Sequence, residues 1–198
     1  KDYTIETFKG GADDGIVSQG GSPTGYFLRK YIQEATSFEP GKEAVSKHHW
    51  VIYRYAETLL TYAESMVNAF NNVNYTDETY KYSALWAINE VRKNADMPLI
   101  PSMGKDEFME RLYNEWRVEF AFEDHRFWDI RRWLIADDEG VMKGAMYGLQ
   151  LSAVTGAPGK VHYKPYVFEN RLWSDRSYLH PIKQTEIDKG YMLQNPVW

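Results

Sequence analysis

Three glutamates placed at regular intervals are the first side chains in this 198-residue sequence that could perform chemistry. Glu115, Glu119 and Glu123 are four residues apart, so on a helix they lie on one surface. A glycosidase needs two carboxylates on opposite sides of the scissile bond, about 5–10 Å apart. Neighbours on one helix cannot provide that arrangement. The spacing therefore favours a charged face in which the glutamates pair locally with nearby arginines.

Histidines and an acidic glycine loop are the remaining candidates for catalysis or metal binding. His125 could serve as a base or a ligand, but a packed histidine at a helix junction is the favoured interpretation. A di-iron bundle would carry glutamate three residues before it, where Phe122 stands. The adjacent His48 and His49 would diverge on a helix. The loop GGADDG (10–15) could bind calcium but lacks EF-hand spacing, so a solvated loop is favoured. Without nucleophile-elbow, P-loop or zinc motifs, the sequence predicts no enzyme, metal site or cofactor.

Aromatic residues are unusually frequent, with 7 Trp, 15 Tyr and 9 Phe. Tyrosine and tryptophan rings can stack on the apolar face of a sugar, while amide and guanidinium groups bind its hydroxyls. Loops on a rigid scaffold often carry such groups. The candidate ligand-binding residues are therefore Tyr163, Tyr166, Trp173, Asn170 and Arg171. The alternative is that these aromatic rings only cover the helices.

Composition and charge exclude several classes of protein. The net charge of −5 and the interspersed basic residues do not suit a nucleic-acid surface. The absence of cysteine excludes a disulfide frame and a thiol nucleophile. No apolar stretch has the length of a membrane span, so any membrane attachment is expected outside this chain.

Apolar residues at intervals of three and four predict four amphipathic helices. The predicted helices run from Trp50 to Asn71, from an N-cap at Thr76 to Pro98, from Lys105 to Asp124, and from Arg126 to Ala136. Their predicted buried residues are Ile52, Ala56, Leu59, Ala63, Met66, Phe70, Ala84, Ile88, Val91, Ala95, Phe108, Leu112, Trp116 and Phe120.

These helices predict a mainly α fold with tetratricopeptide-like helical hairpins, long irregular loops and an extended C-terminal tail. Residues 1–198 are expected to form a single domain. It would comprise a loop-rich lead-in (1–48), two helical hairpins (49–136) and a loop-rich segment with the tail (137–198). Two hairpins are fewer than a free-standing solenoid needs, so further packing partners are expected.

Charged residues on the predicted helices suggest a buried polar network. Glu57 and Glu64 lie close to one face of the first helix, and half-buried carboxylates need partners. One of them is expected to pair with an arginine between hairpins, in a structural rather than a ligand-binding role. The candidate arginines are Arg117, Arg131 and Arg132.

Four motifs together resemble the C-terminal portion of SusD/RagB-like proteins. They are YRYAETLLTYAE (53–64), AINEVR (87–92), EWRVEFAFEDHRFWDIRRW (115–133) and YLHPIKQTEID (178–188) with QNP (194–196). A GY…KY element at 25–31 precedes them. Trp116, Asp124, His180 and Lys183 depart from the usual residues without disturbing the helix pattern.

The resemblance implies a binding protein on the surface of Bacteroidetes cells. Such proteins are tethered to the outer membrane by an N-terminal lipid, cap a TonB-dependent transporter, and capture glycans or sometimes peptides. Two other classes stay open: a docking module of the uptake complex without its own sugar site, and a hydrolase, for which no adequate constellation is found.

Overall fold

The computed structural model describes residues 6–14, 21–33, 35–46, 49–156 and 160–198, so His48 and Gly15 of the predicted sites lie outside it. The helices are α1 (Tyr55–Phe70), α2 (Ala84–Asn94), α3 (Lys105–Glu119), α4 (His125–Arg132) and α5 (Gln184–Ile187). The strands are β1 (Gly144–Ala153) and β2 (Val161–Arg171), followed by a 3-10 helix at Asp175–Tyr178. No helix in the described part of the chain is long and apolar enough to cross a membrane.

The chain divides into two compact units. One comprises Gln33–Asp129, and the other comprises Lys1–Ile32 together with Ile130–Trp198, so the division falls inside α4. The single domain over residues 1–198 stays a prediction.

The core of the first unit lies where α1 packs against α2 and α3. The predicted stripe of α3 is buried throughout, with Phe108 and Leu112 fully enclosed. Burial of such a stripe is the main source of helix stability, because isolated helices of this length are marginal in water. The largest enclosed side chains of this unit are Leu60, Val67, Ile88, Phe108, Leu112 and Phe120.

Helix ends differ from the sequence prediction for local reasons. Arg54 is extended (φ −142°), so α1 begins at Tyr55 and Ile52 is 88% exposed rather than buried. Asp77 accepts hydrogen bonds from the amides of Thr79 and Tyr80 and forms a turn. The N-cap of α2 is consequently Ser83, not Thr76; its hydroxyl accepts from the Trp86 amide.

The third and fourth helices are shorter than predicted. Left-handed conformations at Phe122 and Asp124 (both φ 63°) follow the end of α3. Residues with positive φ cannot continue a right-handed helix. α4 then ends at Arg132 instead of Ala136.

The prediction of a mainly α fold is wrong, because β1 and β2 form an antiparallel sheet in the segment assigned to loops. Their register runs from Gly144 opposite Arg171 to Ala153 opposite Val161. A β-bulge near Met146 and Tyr147 leaves Phe168 as an extra residue on β2. The bulge interrupts the alternation that would otherwise have indicated a strand.

Two pieces of the lead-in run along the outer edge of β1. The Lys9 amide donates to the Leu151 carbonyl at 2.7 Å, and the Leu149 amide donates to the Thr24 carbonyl at 2.8 Å. These bonds satisfy backbone groups that an edge strand would leave open. Gly25 permits the second contact: it has φ +74°, and a Cβ there would lie 2.1 Å from the Leu149 carbonyl oxygen.

Replacing Gly25 with alanine should therefore weaken this edge by roughly 2 kcal/mol, through positive-φ strain and the clash. The expected result is amide hydrogen exchange at Leu149 that is more than tenfold faster. Gly41→Ala is the matched control, since Gly41 has φ +79° but nothing lies within 4 Å of its Cβ position. Unchanged exchange at Leu149 in the Gly25 variant would contradict the role assigned to this contact.

Candidate functional site

One face of the hairpin carries exposed tyrosines, and we call it the tyrosine face. Tyr147 on β1 and Tyr163 on β2 lie on it, since Tyr163 stands opposite Leu151 and side chains alternate along a strand. Their side chains are 64% and 66% exposed. Four strand positions separate the two rings along the sheet, a distance of about 13 Å.

The bulge brings a polar side chain onto the same face. Asn170 pairs with Ala145, which is two residues from Tyr147, so both lie on the tyrosine face. Asn170 is exposed. Its amide can both donate to and accept from a ligand hydroxyl. Between the tyrosines the face is apolar and partly exposed, with Val167 opposite Tyr147 and Pro165 opposite Leu149.

The opposite face of the hairpin is used for packing. The Tyr166 hydroxyl donates to the Pro23 carbonyl, and the Tyr166 ring covers Gly148. Arg171 binds its neighbour Glu169, with 3.0 Å between Nε and Oε2. Tyr166 and Arg171 therefore lie on the other side of the sheet from Tyr163.

Trp173 lies in packed surroundings beyond the end of β2. The Arg131 guanidinium stands 5.2 Å from the Trp173 ring centroid, and Tyr178 contacts the ring edge-on at 5.1 Å. The indole nitrogen is buried without a hydrogen-bond partner among the described residues. The Tyr178 hydroxyl donates to Asp137. Burial raises the pKa of Tyr178, and this hydrogen bond lowers the pKa of Asp137.

The structure thus separates the five predicted ligand-binding residues. Tyr163 and Asn170 share the tyrosine face, Tyr166 and Arg171 lie on the opposite face, and Trp173 is packed beyond the strand. The ligand-binding role of all five stays a prediction. Tyr147 was not predicted, although its alternation with Leu149 and Leu151 is a strand signal that could have identified it.

The predicted polar network occupies several different environments. Glu57 Oε2 lies 3.6 Å from His125 Nε2, and the His125 ring packs 4.4 Å from Phe120. Arg117 donates to Asn114 at 3.0 Å. Arg131 donates to the Ser177 carbonyl at 3.2 Å, Arg132 stands over Trp133 at 4.6 Å, and Glu64 is half-buried on α1. The pairing of Glu57 or Glu64 with one of these arginines stays a prediction.

A different arginine binds the regularly spaced glutamates. Arg54 donates to both Glu123 carboxylate oxygens at 2.8 and 3.0 Å, to a Glu119 carboxylate oxygen at 2.5 Å and to the Glu119 carbonyl at 2.8 Å. Burial would lower the pKa of Arg54, but these bonds outweigh it and raise the pKa. The guanidinium also stacks 4.4 Å from the Phe120 ring centroid.

The third glutamate is bound by a second distant arginine. Arg92 Nη1 donates to Glu115 Oε2 at 2.6 Å, and Arg92 Nε donates to the Pro98 carbonyl at 2.8 Å. The interpretation of these glutamates as a charged face with local pairing is therefore wrong. Arg54 and Arg92 are remote from them in sequence, and their contacts join α2 and the residues before α1 to α3.

A cavity of about 350 Å3 lies between α1, α2 and α3. Its floor is apolar and its rim carries charged and polar groups. The lining residues are Arg54, Tyr55, Ala56, Leu59, Glu90, Val91, Asn94 and Glu119.

Comparisons with known proteins agree with the family resemblance of the motifs. The crystal structure of a SusD-like protein from Bacteroides fragilis NCTC 9343 superposes with a TM-score of 0.58 and 29% sequence identity. The match covers 75% of this chain and 26% of that protein, so this chain spans about a quarter of its length. The comparison with curated proteins gave no match.

The family assignment rests on a match that extends over almost the entire sequence. Residues 3–198 match the SusD family. Proteins of that family bind ligands and are not enzymes, which confirms the prediction of a non-catalytic protein. The resemblance seen in the four motifs is thereby confirmed, and this chain belongs to the SusD family.

Proposed function

We propose that this chain is part of a cell-surface protein of the Bacteroidetes outer membrane that captures glycans for nutrient uptake. Its full-length form would be anchored by an N-terminal lipid and would deliver the glycan to a TonB-dependent outer-membrane transporter. Family membership supports the general role in nutrient binding. The observation that supports a sugar ligand in this part of the protein is the tyrosine face of the hairpin.

The chemistry of that face suits a carbohydrate. A pyranose ring presents C–H groups that pack on an aromatic ring, and its equatorial hydroxyls need hydrogen-bond partners at the edges. Tyr147 and Tyr163 would each stack one sugar, and Asn170 would bind hydroxyls beside Tyr147. Because the rings are about 13 Å apart, an extended oligosaccharide could contact both while a monosaccharide could contact only one.

Alanine substitutions of Tyr147 and Tyr163 test this assignment. Each should weaken oligosaccharide binding roughly tenfold, the loss expected when one stacking contact is removed. The measurement is titration calorimetry of the 198-residue chain against a panel of soluble oligosaccharides. Saturable heat without continuing turnover would support capture.

Tyr191→Ala provides the matched control, because Tyr191 is also 64% exposed but lies in the C-terminal tail. Its affinity for the oligosaccharide should equal that of the unmodified chain. Equal affinities for the Tyr147, Tyr163 and Tyr191 variants would show that the tyrosine face does not bind the sugar.

The apolar strip between the tyrosines favours one alternative, a docking surface for another protein of the uptake complex. Val167 is 45% exposed there, and Pro165 beside it is also exposed. Docking would be favoured over sugar capture by three results together. The transporter would co-purify with this chain, Val167→Asp would abolish the co-purification, and the chain would bind no oligosaccharide.

A further inference from the structure

The cavity between α1, α2 and α3 combines an apolar floor with an acidic rim. Ala56, Leu59 and Val91 form the floor, and Leu59 and Val91 are buried. Glu90 and Glu119 stand at the rim with the amide of Asn94. A volume of about 350 Å3 falls within the range of small-molecule sites.

The arginine at the rim does not make the cavity positive. The Arg54 guanidinium is bound to the carboxylates of Glu119 and Glu123. Glu90 makes a long contact of 3.8 Å with the exposed amine of Lys93. Of the described residues that line the cavity, Glu90 and Glu119 carry carboxylates and Arg54 carries a positive charge.

The rim is also held in place before any ligand arrives. Arg54 makes four hydrogen bonds to Glu119 and Glu123, and its guanidinium rests on the buried Phe120 ring. Groups fixed by such supporting contacts lose little conformational entropy when a ligand binds.

From these features we propose that the cavity binds an aliphatic ammonium group, such as a free alkylamine or the side chain of a lysine. The methylene stem lies on Ala56, Leu59 and Val91, and the ammonium group is bound by the Glu90 carboxylate beside Glu119. A neutral ligand of the same shape would keep the apolar contact and lose the charge-assisted bond. This site is separate from the tyrosine face and does not depend on glycan binding.

Titration of the 15N-labelled chain with pentylamine and with pentan-1-ol tests the proposal. Pentylamine should shift the amides of Val91 and Asn94 in a saturable way, and at least tenfold more alcohol should be needed for a comparable shift. Added salt should weaken binding of the amine because the rim is partly exposed. Equal responses to amine and alcohol, or no shift at these amides, would overturn the proposal.

Charge-neutral variants separate the rim from the rest of the surface. Glu90→Gln should weaken pentylamine binding roughly tenfold, whereas Glu107→Gln should leave it unchanged. Glu107 is exposed at the opposite end of α3, twelve residues from Glu119 or about 18 Å along the helix. Equal affinities for the two variants would contradict a role for Glu90.

A blocked Gly-Lys-Gly peptide and its norleucine analogue then distinguish the two sources of the ammonium group. Binding of the lysine peptide alone would support recognition of a lysine side chain. Binding of pentylamine but of neither peptide would support a site for free amines. Equal binding of the two peptides would overturn recognition of the charge.

Discussion

Replacing Arg54 with alanine is expected to lower the free energy of unfolding by about 3–5 kcal/mol. The reason is the burial of the carboxylates that it binds: the side chain of Glu123 is 9% exposed and that of Glu119 is 20% exposed. Without the guanidinium the two carboxylates would lose the hydrogen bonds that Arg54 donates, and in these half-buried positions water could replace them only in part. Urea-induced unfolding followed by tryptophan fluorescence measures the loss.

Two further substitutions define the origin of this effect. Arg54→Lys should recover only part of the stability, since an ammonium group cannot reproduce the planar contacts to two carboxylates. Arg111→Ala should cost less than about 1 kcal/mol, because Arg111 makes a 3.8 Å contact with Glu107 on the exposed surface of α3. A loss for Arg54→Ala no larger than that for Arg111→Ala would show that the buried network contributes little.

Phe108→Ala is expected to cost a similar 3–5 kcal/mol, for an apolar reason. The Phe108 side chain is fully enclosed in the core that α3 shares with α1. Truncation removes the transfer free energy of the ring and leaves a cavity that rigid helices close only partly. The same urea experiment measures it, and Phe108→Leu should lose much less because it keeps most of the volume.

Phe122→Ala is the matched control for this substitution. Phe122 is 69% exposed in the turn after α3, so the same truncation should change stability by only a few tenths of a kcal/mol. Comparable losses at both positions would mean that Phe108 is not part of the stabilising core.

The sequence predicted the helical core well because its signals are local. The four-residue spacing of Phe108, Leu112, Trp116 and Phe120 specifies one face of α3, and all four are buried. In α1, the predicted core residues Leu59, Ala63 and Met66 are likewise buried. The differences lie at the helix ends: Arg54 is extended, Ser83 rather than Thr76 caps α2, Ala95 after α2 is exposed rather than buried, and α3 and α4 end earlier than predicted.

The sheet was missed because its local signals conflict: the alternation of Tyr147, Leu149 and Leu151 indicates a strand, but the glycines around it indicate loops. Gly144 and Gly148 suggested loops, yet Gly148 lies inside β1, where a Cβ would approach Thr24 to 3.0 Å. Pro165 and the bulge at Phe168 further obscure β2. The glycine inside a strand marked a close approach of another segment rather than a break in the structure.

The polar network was missed because its partners are distant in sequence. Arg54 binds glutamates that lie 65 and 69 residues further along the chain. Spacing within one helix shows which glutamates are neighbours but not which arginine reaches them. For the same reason the sequence placed five candidate ligand-binding residues in one segment without separating the two faces on which four of them lie.

The β-bulge also affects how the hairpin can change in length. Tyr163 and Asn170 are seven positions apart, and in an unbroken strand an odd separation would place them on opposite sides. The extra residue Phe168 absorbs this mismatch, so β2 has 11 residues against 10 in β1 while the pairs on either side of the bulge remain in step. Deleting Phe168 would leave Tyr147 opposite Val167 and Asn170 opposite Ala145. At this point the hairpin can therefore lose a residue without exchanging its two surfaces, a tolerance to deletion that a regular ladder lacks.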